Sequence, residues 1–226
     1  MIDDRLIRFI REELGLSFLA GKLETWKKSG EDSDELPLII LQECYYFSAK
    51  EITRYRQLLA AYRKMSPAEF TKETGDYFFS LRQYGAAVAC YERILEDWRL
   101  KSISDEFTAA VWNNIGASYA GIFWFDKAMT AYEMSYNFKK DPNTLKRICQ
   151  LTLLRPELKV RERYQLLIRE EQREAWQREL QEKQEEMAAS KRLKDLEAVF
   201  DQEPEKRMRE AGALVTRWKK EYRKML

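Results

Sequence analysis

Five residues in the middle of this chain recur at a single offset. Gly75, Phe78, Tyr84, Ala87 and Tyr91 are each followed 41 positions later by Gly116, Tyr119, Phe125, Ala128 and Tyr132. Such an alternation of small and large residues, repeated in register, leaves few folds open. Trp112, Ile115 and Tyr119 stand three and four apart, on one face of a helix, and Gly116 shares that face. A missing side chain there lets a second helix come close. Ala128, between Phe125 and Tyr132, does the same on the helix that follows. The pattern predicts antiparallel helix pairs, interlocked where small residues meet large ones.

Local signals bound these helices. Ser66 and Glu69 make a capping box and Pro67 suits the first helical position, which predicts a helix over 67–81. Residues 84–100 are its partner. Ser104 or Asp105 caps the helix of Trp112 and Tyr119. Asp126 marks the turn into the helix of Ala128 and Tyr132, which ends at Asp141-Pro142. Leu145, Ile148, Cys149 and Thr152 then stand where Trp112, Ile115, Gly116 and Tyr119 stand, over a helix at 143–154. Leu158 stands where Phe125 does, but Arg161 replaces the small alanine. This is a partial third unit or a polar-faced cap.

In these residues the chain resembles the tetratricopeptide repeat family. Its pattern runs W-x-x-L-G-x-x-Y, then a bulky residue, Ala and Tyr or Phe, then Pro. The likeness covers 66–142. Thr71 and Thr74 depart from it, standing where large residues should precede Gly75. The period also departs, being 41 rather than about 34. The extra residues fit 98–106, as a longer helix or loop. The resemblance implies an all-α fold: a tetratricopeptide-like helical-hairpin array with extra N-terminal helices and a long C-terminal helix or hairpin. The expected organisation is 1–65 as N-terminal helices packing on the repeats, 66–155 as the repeats, and 156–226 as a long charged helix with a C-terminal amphipathic helix.

Outside the repeats, 2–14 and 16–26 read as amphipathic helices separated near Gly15, and 29–37 (SGEDSDELP) as an acidic linker. Residues 38–65 read as one long helix. From Pro156 the composition changes. Residues 157–200 contain no Gly or Pro and predict one very long helix, supported by pairs such as Glu174/Arg178 and Glu179/Lys183. Pro204 breaks it. Met208, Ala211, Val215, Trp218, Tyr222 and Met225 then step by three and four, a heptad stripe on a largely basic helix. That helix folds back on its neighbour or pairs with a second chain.

Composition excludes more than it suggests. There is no histidine. Ser-His and Cys-His nucleophile pairs, histidine bases and nearly all zinc sites are thereby removed. The eight glycines form neither a P-loop nor a G-x-G-x-x-G. No carboxylate pair suited to catalysis can be assembled. No enzyme, no cofactor, no metal and no small-molecule substrate is expected. Cys44, Cys90 and Cys149 form no C-x-x-C pair and predict buried, reduced thiols. The charged N-terminus and the lack of a membrane-spanning apolar run predict a cytoplasmic protein without a signal peptide.

The resemblance places a partner-binding groove on the inner faces of the leading helices. Its candidate residues are Lys72, Asp76, Phe79, Asn113, Asn114, Lys146 and Arg147, with Glu69, Ala110, Ala117 and Asn143 beside them. Some family members clamp the C-terminal carboxylate of heat-shock chaperones there with lysines, asparagines and an arginine. Lys72, Asn114 and Arg147 match three of those sites in type. Asp76 departs from a fourth, where its charge would repel the ligand, and Asn143 replaces a lysine. Three aromatic runs, 45–47, 77–79 and 123–125, cannot turn all their rings to one side. Phe79 and Phe123 or Trp124 are therefore a second candidate surface, unless they cap against the N-terminal helices.

The expected function is a non-enzymatic scaffold that binds a protein or peptide segment in the groove. One alternative is self-assembly as a homodimer through Met208, Val215, Trp218, Tyr222 and Met225. Another is a membrane or nucleic-acid adaptor working through the basic helix. Glu205, Glu210 and Glu221 dilute that charge and set the adaptor last.

Overall fold

The computed structural model describes residues 2–30, 34–96, 103–158 and 162–226. Among the described residues there are thirteen helices and no strand. The fold is all-α, an array of helical hairpins. The chain divides into two compact units, Met1–Ser66 and Pro67–Leu226.

In the first unit, α1 (Asp4–Glu12) and α2 (Ser17–Ser29) form an antiparallel hairpin. Ile7 and Ile10 of α1 meet Leu19, Ala20 and Leu23 of α2, with Leu36 closing the cluster. Arg11–Glu24 (2.9 Å) and Lys27–Asp4 (2.7 Å) pair across the rim. The helix expected over 38–65 is two: α3 (Glu35–Glu43) and α4 (Ala49–Tyr62). Tyr45 takes a left-handed backbone, φ 54°. Ser48 and Glu51 then form a complete capping box, so the new helix start satisfies its own amides. Helix α3 begins inside the stretch that composition marks as linker, and Pro37 sits in its first turn, where its lack of an N–H costs nothing. Cys44, expected to be buried, is exposed, while Cys90 and Cys149 are buried.

The second unit begins with two hairpins, α5 (Pro67–Ser80) with α6 (Tyr84–Glu96) and α7 (Asp105–Gly121) with α8 (Phe125–Phe138). They match down to single contacts. The Tyr91 ring covers Gly75 so closely that a Cβ there would lie 2.5 Å from it. The Tyr132 ring covers Gly116 in the same way, at 2.6 Å. Both turns place a non-glycine residue in the left-handed region, Arg82 at φ 59° and Phe123 at φ 64°. Gln83 N–H donates to the Phe78 carbonyl and Trp124 N–H to the Tyr119 carbonyl, each at 2.9 Å. Every one of these features repeats at the 41-residue offset. The left-handed residue lets the amide after it reach back and satisfy an orphan carbonyl at the helix end. Tyr84, at the start of α6, packs on Gly121 and locks one hairpin to the next.

Helix α9 (Pro142–Leu154) follows, capped by Asp141, and packs on α8. Its own partner is not the segment at Leu158. A short helix, α10 (Glu162–Gln165), seats Tyr164 edge-to-face against Tyr136, 5.6 Å between centroids. Helix α11 (Glu170–Ala188) then returns along α9, with Ile168 and Trp176 packed on the cluster of Ala128, Met129, Tyr136 and Ile148. The single helix expected over 157–200 is thus three, ending with α12 (Lys191–Phe200). Ser190 causes the last break, its hydroxyl accepting from the Leu193 N–H. Glu179 pairs with Lys183 within α11 at 3.1 Å. Helix α13 (Pro204–Met225) forms a hairpin with α12 and also packs on α6. The Tyr222 hydroxyl donates to the Ile122 carbonyl at 3.3 Å, and the Leu226 backbone lies directly on Gly85. Residues 98–102 of the expected insertion, Arg161, and 31–33 of the expected linker lie outside the described residues.

Alanine favours a helix over glycine by about 1 kcal/mol. At Gly116 and Gly75 that gain is lost to collision with a buried ring. We expect Gly116→Ala and Gly75→Ala each to destabilise the fold by about 1–3 kcal/mol in urea titrations. Gly212→Ala, in the interior of α13 with nothing within 4 Å, is expected to stabilise it by up to about 1 kcal/mol.

Candidate functional site

Lys72 and Asp76 stand one turn apart on α5, Asn113 and Asn114 on α7, and Lys146 and Arg147 on α9. A chain of polar contacts joins them. Asp76 is its hub. Its Oδ2 accepts from Lys72 Nζ at 2.6 Å, and its Oδ1 from the Tyr91 hydroxyl at 2.7 Å and Asn114 Nδ2 at 2.8 Å. One carboxylate thereby ties α5, α6 and α7 together. Charge-assisted hydrogen bonds of this kind contribute more than neutral ones, about 1.5–3 kcal/mol each when partly shielded from water.

Arg147 bridges the next step. Its guanidinium donates to Asn113 Oδ1 at 2.9 Å and lies over the Tyr132 ring, 5.8 Å from the centroid. The ring that packs on Gly116 therefore also lies beneath the Arg147 cation. Lys146 points the other way, pairing with Glu179 of α11. Asn143 belongs to the cap of α9, where it donates to Asp141. Phe79 is half-buried against the core and meets Tyr84 edge-on at 5.2 Å.

This geometry alters the groove expected from sequence. Lys72 and Asn114 are not open donors for an incoming carboxylate, because Asp76 already holds both. Lys146 is committed to α11, and Phe79 is a packing residue. Half-buried Asn113 and exposed Arg147 remain as a paired polar unit, and Ala110 and Ala117 of α7 are half-buried. Among the aromatic runs, Tyr77 and Phe123 project outward, 61% and 67% exposed. Trp124 stacks on Tyr119 at 5.9 Å, with the Lys127 ammonium 4.5 Å above its ring.

The C-terminal stripe divides. Tyr222 and Met225 turn onto the hairpin ends and are half-buried, whereas Met208 is 78% exposed and Val215 and Trp218 are partly open. Sequence reasoning missed that α12 and α13 enclose a cleft against the turns after α5 and α7. Arg192, Arg217, Trp218 and Glu221 are among the residues that line it. No local signal marks it, because its walls come from segments far apart in the chain.

Three tyrosines of the hairpins are harder to ionise than a free phenol. Burial is the main cause at each. For Tyr91 the adjoining Asp76 carboxylate adds to it, and for Tyr132 the Arg147 cation opposes it. Tyr119 is pushed up to about 12, by burial first and then by its bond to the Glu92 carboxylate at 2.9 Å. Burial likewise raises the Cys90 and Cys149 thiols, which keeps them as inert packing groups.

Comparison of the chain with family models, with curated proteins and with solved structures gave no match. Among the described residues no helix is long and apolar enough to cross a membrane, and no cluster of His, Cys, Asp and Glu could hold a metal ion.

A raised phenol pKa means that the folded chain keeps a proton that the unfolded chain releases above pH about 10. Stability is therefore expected to stay level with respect to Tyr119 below pH 10 and to fall as pH rises toward 12. Tyr119→Phe should remove part of that fall in denaturant titrations run across this window, and lose the tyrosinate absorbance step near pH 12.

Proposed function

We propose that this chain is a non-enzymatic, cytoplasmic scaffold of the tetratricopeptide type, holding a segment of a partner protein along the inner face of α5, α7 and α9. The observation that carries this is the matched pair of hairpins. Their ring-on-glycine contacts, turn conformations and turn hydrogen bonds all repeat at one offset. A rigid frame of this kind presents half-buried Asn113 and Asn114 and exposed Arg147 at fixed spacing, with the small Ala110 and Ala117 leaving room between them. Preorganised amide and guanidinium groups suit the backbone and side-chain acceptors of an extended segment. Because Asp76 neutralises Lys72, the reading favours a segment bound through its backbone over a terminal carboxylate.

Pull-down from lysate followed by titration of the captured segment tests this. Arg147→Ala and Asn113→Ala are each expected to weaken binding about tenfold, with helix content unchanged. Arg147→Lys, which keeps charge but not the fork, should not restore it. Unchanged affinity in all three variants would remove the groove from consideration.

A second reading rests on a separate observation, the exposure of Met208 and Val215 on α13. These residues form a short apolar ridge that a second copy of the chain can cover. Sedimentation over a concentration series is expected to report a mass increase that Met208→Asp with Val215→Asp abolishes. A monomer at every concentration excludes it.

A further inference from the structure

The cleft missed from sequence carries chemistry of its own. We propose that it is a second binding site, distinct from the inner groove, for a protein segment in which carboxylates flank a large apolar side chain. Three adjoining hollows meet at Arg192, which lines all of them. The part between α12 and α13 is the apolar one, a hollow of about 540 Å³ walled by Leu193, Leu196, Val199, Leu214 and Trp218. Trp218 is 39% exposed and lines this hollow. An indole edge and branched aliphatic walls on packed helices make a receptor for one or two apolar side chains.

The charge around that hollow has one dominant sign. Arg82, Lys191, Arg192, Arg217 and Lys224 line the three parts, against only Asp195 and Glu221. Arg192 comes no nearer than 3.9 Å to Glu221. Among the described residues, neither Arg82, Arg217 nor Lys224 pairs with a carboxylate. Cations left unpaired around a shared hollow, and held on different elements, are a recognition field rather than solvated decoration. Arginine forks at Arg82, Arg192 and Arg217 match the planar carboxylate two bonds at a time. The two acidic residues in the lining temper the field. It suits singly charged side chains spaced along a segment better than the concentrated charge of a phosphate cluster. The apolar hollow has room for a Leu or Phe side chain.

The experiment uses the full chain and three fluorescent twelve-residue peptides. The first places Leu and Phe four residues apart among Glu and Asp. The second replaces the acidic residues with Lys, and the third replaces Leu and Phe with Ser. Anisotropy titration is expected to show the first bound at least tenfold more tightly than either control, with affinity falling as salt rises. Arg217→Gln with Arg192→Gln, and separately Trp218→Ala, should each reduce that affinity at least tenfold. Lys72→Ala and Arg147→Ala should leave it unchanged, which separates failure of this site from failure of the groove. Circular dichroism checks folding. If Trp218→Ala loses helix content, the exposed Arg217→Gln decides. The proposal is overturned by equal binding of all three peptides, by binding of none, or by affinity indifferent to Arg217→Gln. It is equally overturned if the same arginines instead drive binding to phosphatidylserine vesicles. A concentration-dependent dimer that Arg217→Gln dissolves would also overturn it, since a second copy would then be the occupant.

Discussion

A tyrosine ring packed directly against a helical glycine is the contact from which the rest of the larger unit follows. At Gly75 and Gly116 the absent Cβ lets the facing helix approach to ring-contact distance. That approach fixes the spacing and tilt of each hairpin and brings small buried residues into use. The Ser135 hydroxyl, for example, reaches the Ala109 carbonyl of the neighbouring helix at 2.8 Å. The close approach also carries the Tyr91 hydroxyl through to the inner face, where it meets Asp76. Packing and polar organisation are therefore one arrangement: the ring fills the gap on one side and anchors a carboxylate on the other. A glycine in mid-helix weakens the helix by itself, and only this tertiary contact offsets the loss.

The inner face is polar yet largely self-satisfied. A half-buried carboxylate surrounded by an ammonium, a phenol and an amide has little demand left for an external ligand. Lys72 is held within its reach. The resemblance to carboxylate-clamping repeats thus extends to residue type at three positions but not to electrostatics, because the clamp's donors face an internal acceptor. What remains available is the neutral Asn113 amide with its Arg147 partner.

The basic character of the chain appears instead at its C-terminal hairpin. There α11 first completes the third hairpin by covering α9, with Trp176 in the core and Glu179 on Lys146. The chain then turns at Ser190 and again before Pro204, and α13 is laid back across the hairpin turns. The left-handed turn residues Arg82 and Phe123, needed to end α5 and α7, lie at the rim of this second surface. One backbone requirement of the repeats thereby places a cation and a ring where the C-terminal helices meet them.

Most of the helical architecture was legible in the sequence, and its limits have a physical cause. The two hairpins could be read because the small-to-large alternation, Ser66-Pro67, Ser104 and Asp141-Pro142 act within a few residues of one another. The break at 44–48 was also written locally, in the Ser48/Glu51 capping box, but the apolar periodicity running through it masked the signal. The break at Ser190 had only a lone serine to mark it. Sequence spacing correctly put Lys72, Asn114 and Arg147 on leading helices. It could not show that Asp76 also takes up Asn114, that Glu179 takes up Lys146, or that Phe79 packs against the core. The sequence by itself determined most helix starts, which faces are apolar and the interlock of the two repeated hairpins, since these signals lie within one helix or the next. Only the tertiary structure decided which polar groups are satisfied across helices and which are left open, because Asn114 reaches Asp76, and Lys146 reaches Glu179, from segments tens of residues away.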